Sequence, residues 1–199
     1  IDVAANAAYK SSLLKGMGDK NAADQAAVDS MRTELNNMSI KGKVVIGEGE
    51  MDEAPMLYIG EILGKSEFPK IDIAVDPLDG TKLAANNMPN AISVISISEE
   101  GNLLQAPDTY MDKISVGPNL PENIVDLDED IKKNIQNLAK AKNKGIKDIC
   151  VCMLDRERHQ HFINDTKSLG AKLKLISDGD VAGSIFSAID ESEVDMYIG

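Results

Sequence analysis

The sequence has 199 residues, 43% apolar and 27% charged, which is enough for one large domain or two small ones and too apolar for a disordered chain. Its net charge of −12 argues against a nucleic-acid backbone or an anionic membrane as the main partner, and leaves room for metal ions or for an anionic substrate neutralised locally by metals or arginines. No apolar stretch approaches the roughly 20 residues of a membrane span, and no secretory signal is visible.

In chain order, DVAANAAYKSSLLKG (2–16) predicts a helix closing near Gly16 and Gly18. A second helix is expected from about Ala22 to Asn37, with Ala27, Met31 and Leu35 at i, i+4 spacing. KVVIGEGE (43–50) predicts a short strand running into a glycine-containing turn. EAPMLYIGEIL (53–63), with proline near its start, predicts a further helical segment. IDIAVDP (71–77) predicts a strand with alternation through Ile71, Ile73 and Val75, and AISVISIS (91–98) predicts another. Residues 101–117 predict irregular chain and one more strand.

The character changes after Pro118 and Pro121. A helix over 128–145 carries Ile131, Ile135 and Leu138 at helical spacing, acids in front and lysines behind, an order that suits the helix dipole. Its lysines are expected on a solvated face. Strand 148–154, helix 156–170, strand 171–177, helix 180–190 and strand 194–199 follow. Such alternation predicts an α/β fold with a parallel layer in this half and a mixed sheet in the first. The expected division is 1–120 and 121–199, with the boundary near 118–125.

Cys150 and Cys152 share one side of their strand and are poorly placed for a mutual disulfide, so reduced thiols in a cytoplasmic protein are expected. His159 and His161, two apart on a helix, do not share a face and are expected to be solvated or at a substrate edge. The nine methionines read as core fillers.

The chemistry is expected at element ends. Asp24 belongs to a helix-opening D-x-x-x-x-D, Glu48 follows one strand, and Asp76 and Asp79 follow the next in VDPLDGT. Carboxylates gathered there supply the hard oxygen ligands that magnesium and manganese take. Two such acids within one turn repel unless water or a cation lies between them. Gly80 frees the backbone, and the amides of Gly80, Thr81 and Lys82 open a turn able to seat an anion. Any one of these turns alone is an ordinary solvated loop. As an ordered set they point to metal-assisted hydrolysis of a phosphate ester.

GDKNAAD, VVIGEGEMDEAPMLYIGE, IAVDPLDGT, QAPDTYMDK, DGDVAGS and SEVDMYIG together resemble class II fructose-1,6-bisphosphatase, from about residue 5 to the last. DPLDGT alone is the wider signature of magnesium-dependent, lithium-sensitive phosphatases; the GEGEMDEAPM block selects class II. The resemblance implies a layered α-β-α-β-α sugar-phosphatase fold and hydrolysis of fructose 1,6-bisphosphate to fructose 6-phosphate with Mn²⁺ or Mg²⁺, in gluconeogenesis. It implies Asp24, Glu48, Asp76 and Asp79 as metal ligands. Asp79, Gly80 and Thr81 would hold the scissile phosphate, and Thr81 with Glu48 would position the attacking water. Tyr110 would reach substrate, and Arg156 and Arg158 would bind the distal phosphate with Glu157 between them. Asp178, Gly179 and Asp180 would meet sugar hydroxyls, with Lys20 near the site. The implied assembly is a homodimer or homotetramer in the cytoplasm.

Three departures qualify the match. Asp79 stands where the family has glutamate, Arg156-Glu157-Arg158 stands for Lys-Pro-Arg, and the sequence ends at Gly199 before the family's glycine-rich G-G-A-P-E-G turn. A fragment of the family fold is therefore expected. The alternatives are a related phosphatase acting on sedoheptulose bisphosphate or inositol phosphate, and a non-catalytic fragment that binds metal and sugar phosphate.

Overall fold

The structure, a computed structural model, describes residues 1–49, 56–105 and 109–199. It is a mixed α/β chain dividing into two compact units, Ile1–Tyr110 and Met111–Gly199.

The first unit begins with helices α1 (Asp2–Ser12) and α2 (Lys20–Asn37). Asp19 caps α2, its side chain accepting from the Ala22 N–H at 3.0 Å. The alanine-rich stripe Ala23, Ala27, Val28, Met31 and Leu35 is buried. It packs in one core with Val44, Ile73 and Val75, which belong to strands β1 (Lys41–Ile46) and β3 (Lys70–Asp79). Strand β2 (Ile62–Leu63), the short helix α3 (Thr81–Ala85) and strand β4 (Ile92–Glu99) complete the unit. The sheet order is β2-β1-β3-β4, with β1 and β3 parallel and the other pairs antiparallel.

Two expectations are corrected here. The helical segment expected over 53–63 is instead, in its described part, a turn and an edge strand. Glu48 N–H donates to Leu57 O, Val44 N–H to Glu61 O and Gly60 N–H to Val44 O, so the chain returns along β1. Leu57 and Leu63 are buried on this path, and Gly60 turns it at φ +95°. Backbone pairing to an open sheet edge outweighs the helical spacing. Residues 50–55, which include the expected turn acid Glu50 and Pro55, lie outside the described residues. The second correction concerns Asp76 and Asp79, which do not follow β3 but belong to it. Asp76 faces Val94 and Asp79 faces Ile92, so β3 holds one residue more than β4 over this stretch. That is a β-bulge, and Pro77, lacking an N–H, is tolerated in it.

The second unit has the sheet order β5-β8-β6-β7, built from β5 (Ile114–Val116), β6 (Cys150–Leu154), β7 (Lys172–Ile176) and β8 (Met196–Ile198). The β6–β7 and β6–β8 pairs are parallel and β5–β8 is antiparallel. Every residue of β6 is buried, as a central parallel strand requires. Helices α4 (Ile131–Ala141), α5 (Gln160–Leu169) and α6 (Asp180–Phe186) complete it. Ile131, Ile135 and Leu138 of α4 join Ile149, Val151, Met153 and Ile163 in the core, as the helical spacing predicts. Each such side chain contributes roughly 1.5–3 kcal/mol of burial.

Here too the structure departs from the sequence reading. His159 is not solvated: it is 4% exposed, its Nδ1 3.0 Å from Leu154 O, whereas His161 is exposed. Lys142 and Lys144 are not simply a solvated face. Both reach the buried Asp195 carboxylate, at 2.5 and 2.8 Å, and Cys150 N–H donates to its other oxygen at 3.0 Å. Both cysteines are free and buried.

Candidate active site

The geometry of the first unit follows from strand register. β1 and β3 run parallel with Ile46 opposite Ala74. Glu48 and Asp76 each lie two residues further on, Glu48 just past β1 and Asp76 still within β3, toward the same end of the sheet. Carboxyl ends of adjacent parallel strands are where α/β proteins place ligands. Asp24 approaches from α2, which packs on the sheet through the alanine stripe. A cavity of about 370 Å³ is lined by Lys20, Asn21, Asp24, Glu48, Gly49, Met56 and Thr81.

The electrostatics show how close the acids are. Burial pushes the Asp76 carboxyl up to about 8, and the charges of Glu48, Asp79 and Asp24 add to the shift. The Leu78 N–H, donating to Asp76 Oδ1 at 3.1 Å, opposes it. Burial also raises Asp24, whose Oδ1 is enclosed with no hydrogen-bond partner among the described residues. Asp79 is 6% exposed. An orphaned carboxylate oxygen beside a carboxyl strained by three like charges fits a divalent cation held by hard oxygen donors. Among the described residues no three His, Cys, Asp or Glu side chains are grouped so as to hold a metal ion by themselves. Three more acids, Glu50, Asp52 and Glu53, follow in sequence outside the described residues.

Gly80 sits at φ +84° and opens α3. A side chain there would meet the left-handed backbone penalty and Leu83 Cδ1 at 2.9 Å. The turn presents the Thr81 side chain to the cavity.

In the second unit, Leu154 of β6 pairs with Ile176 of β7, and Arg156 and Asp178 each lie two residues beyond. Their side chains meet, Arg156 Nη2 lying 3.9 Å from Asp178 Oδ1. Glu157 and Arg158 begin a 3-10 turn, Glu157–His159. Gly179, at φ +80°, opens α6, and Asp180 in its first turn pairs with Lys113 at 3.0 Å. Tyr110 is 88% exposed at the end of the first unit.

Sequence reasoning missed Asn21, Met56, Lys113 and Arg32. Arg32 was findable, since it lies four residues after the buried Val28 and so falls on the apolar stripe of α2. Lys113 carries no such signal.

Known proteins bear on this site. "Fructose-1,6-bisphosphatase 1 class 2" of Escherichia coli K12 is 45% identical over 184 residues, covering 92% of this chain and 54% of that protein. "Fructose-1,6-bisphosphatase class 2" of Escherichia coli O6:H1 and of Shigella flexneri match with the same identity and coverage. The chain thus spans about half the length of these relatives. The family model described as "Bacterial fructose-1,6-bisphosphatase, glpX-encoded" matches residues 1–199, and with every position from the Asp24 helix to the final strand inside that match, the chain belongs to this family.

Proposed function

We propose that this chain carries the metal- and phosphate-binding part of an enzyme that hydrolyses fructose 1,6-bisphosphate to fructose 6-phosphate and phosphate. The observation that carries the reading is the electrostatic crowding of Asp24, Glu48, Asp76 and Asp79 beside a cavity that Asp24, Glu48, Thr81 and Lys20 line. The four carboxylates would hold Mn²⁺ or Mg²⁺. When bound, such an ion neutralises phosphate charge and lowers the pKa of water.

The chain's own groups do the rest. Glu48, on the cavity wall, accepts a proton from the attacking water, and the Thr81 hydroxyl orients that water. The water oxygen bonds to phosphorus as the ester P–O bond breaks, and the leaving alkoxide takes up a proton from solvent while Glu48 later returns its own to solvent, so the cycle closes. Asp79, Gly80 and Thr81 seat the transferred phosphate, with Lys20 adding positive charge nearby. In the second unit we assign Arg156 and Arg158 to phosphate, the planar guanidinium suiting bidentate contact. Glu157, Asp178, Gly179 and Asp180 of the same unit, and Tyr110 of the first, are assigned to substrate in the same proposal. Among the described residues no helix is long and apolar enough to cross a membrane. A homo-oligomer in the cytoplasm is part of the same proposal.

The test is phosphate release from fructose 1,6-bisphosphate with Mn²⁺, with Mg²⁺ and with chelator. Turnover should require metal and collapse in Asp76→Asn; unchanged turnover in that variant rejects the assignment. Specificity constants for sedoheptulose bisphosphate and inositol phosphate, measured alongside, decide between this substrate and the alternatives.

A further inference from the structure

We propose that Arg32 is the positioning residue for Glu48, fixing from α2 the segment that sets where Glu48 stands. This rests on the reading of Glu48 as a site residue, and it extends that reading to a group outside the cavity lining.

Glu48 lies beyond the last residue of β1, where the sheet no longer dictates its path. The returning chain holds its backbone: its N–H donates to Leu57 O at 3.0 Å. The approach is close, since a Cβ on Gly47 would lie 2.2 Å from the same Leu57 O. The backbone of Glu48 is therefore tied to the segment that carries residues 56–57. Those residues are held by Arg32. Its Nη2 donates to Met56 O and to Glu61 Oε2 at 3.2 Å, and its Nε donates to Glu61 Oε1 at 2.8 Å. Glu61 in turn accepts the Val44 N–H through its backbone carbonyl, which closes the loop onto β1.

The arrangement is largely shielded, with side-chain exposures of 26% for Arg32 and 11% for Glu61. One planar fork thus serves a carboxylate and a backbone carbonyl together, a geometry that a lysine ammonium does not reproduce. Arg32 also lies eight residues from Asp24 on the same helix. A single rigid element therefore carries one site acid and clamps the segment that places another.

The experiment compares the protein with Arg32→Met, Arg32→Lys and Glu61→Gln, reading Mn²⁺ affinity by calorimetry and amide exchange residue by residue by NMR. In Arg32→Met we expect Mn²⁺ affinity to fall about tenfold, the range seen when groups that orient metal ligands are removed. The Glu48 amide should exchange about tenfold faster, while the interior amides of α2 and β1 keep their protection. Arg32→Lys should recover less than half of either loss.

Unchanged exchange at Glu48 in Arg32→Met overturns the proposal. So does a uniform loss of protection across α2 and β1 that lysine fully repairs, because that is a merely structural role. If Arg32→Met fails to fold, Glu61→Gln, which keeps the shape and removes the charge, is read by the same two quantities. If the unaltered protein binds no Mn²⁺, the metal reading has failed, and the Glu48 amide still decides for or against Arg32.

Discussion

Replacing Asp76 by asparagine should stabilise the metal-free protein while removing its response to metal. Asparagine keeps the Oδ1 that accepts the Leu78 N–H at 3.1 Å, so the bulge geometry survives. What disappears is a carboxyl that burial, Glu48, Asp79 and Asp24 push from its ordinary 3.8 to about 8. The sign follows from linkage: a group whose folded pKa is raised costs nothing below its unfolded value, and its penalty grows as pH climbs toward the folded value. The penalty therefore accumulates between pH 4 and pH 8 and is constant above. At pH 7 it spans roughly three units, or about 4 kcal/mol at 1.36 kcal/mol per unit. Urea unfolding in chelator should show the variant more stable by about 4 kcal/mol at pH 7 and by almost nothing near pH 4. Added Mn²⁺ at about 100 times its Kd should stabilise the unaltered protein by about 2.7 kcal/mol and the variant by far less. A variant less stable in chelator at pH 7, or a gain independent of pH, would refute the picture of four crowded acids.

Three further outcomes test other parts of the structure. Gly47→Ala forces a Cβ into Leu57 O and should cost about 1–3 kcal/mol in urea unfolding, with phosphate release lost out of proportion to stability. Lys142→Met with Lys144→Met leaves Asp195 buried without its ammonium partners and should cost about 3–5 kcal/mol. Burial pushes Asp195 up, but Lys142, Lys144 and the Cys150 N–H outweigh this and hold it below its ordinary value, so that stability is present at neutral pH and lost in acid. The deficit of the double variant should accordingly shrink as the pH falls below 4; a constant deficit counts against the charge argument. Burial pushes the Cys152 thiol up to about 11, leaving roughly one molecule in a thousand as thiolate at pH 8. Iodoacetamide should therefore modify it only after denaturation, as mass spectrometry of the native and unfolded protein will register.

The parts of the fold that repeat in sequence were legible there. Ala27, Met31 and Leu35, or Ile131, Ile135 and Leu138, declare helices because one face of each must be buried, and it is. The crowding of Glu48, Asp76 and Asp79 was legible because IGE and DPLDGT put carboxylates at the ends of expected strands, a costly arrangement that needs a reason. What was hidden depends on partners far along the chain. Residues 56–63 have helical spacing, but the free edge of β1 offers them backbone pairing, and spacing cannot reveal an edge. Asp79 looks like a turn residue until β4 is in place to make the bulge. Lys142 and Lys144 look solvated until Asp195, fifty residues later, is buried beneath them.

The two units share a rule that only the registers reveal. In a parallel pair both strands run the same way, so residues at equal distance past a paired rung come near one another. Ile46 opposite Ala74 brings Glu48 to Asp76, and Leu154 opposite Ile176 brings Arg156 to Asp178. The consequences are opposite in sign. Arginine beside aspartate is neutralised within the chain and can stand without help. Glutamate beside aspartate is not, and Asp24 and Asp79 make it worse, while Lys20 lines the cavity with Asp24 and Glu48. Among the described residues, that lysine against these four carboxylates leaves about three negative charges if all ionise, before a phosphate monoester adds roughly two more. An anionic substrate cannot approach such a cluster unless multivalent cations arrive with it or before it. The same crowding that burdens the metal-free fold is thus what would make its affinity for a divalent ion high, and the stability lost at Asp76 is the measure of that readiness.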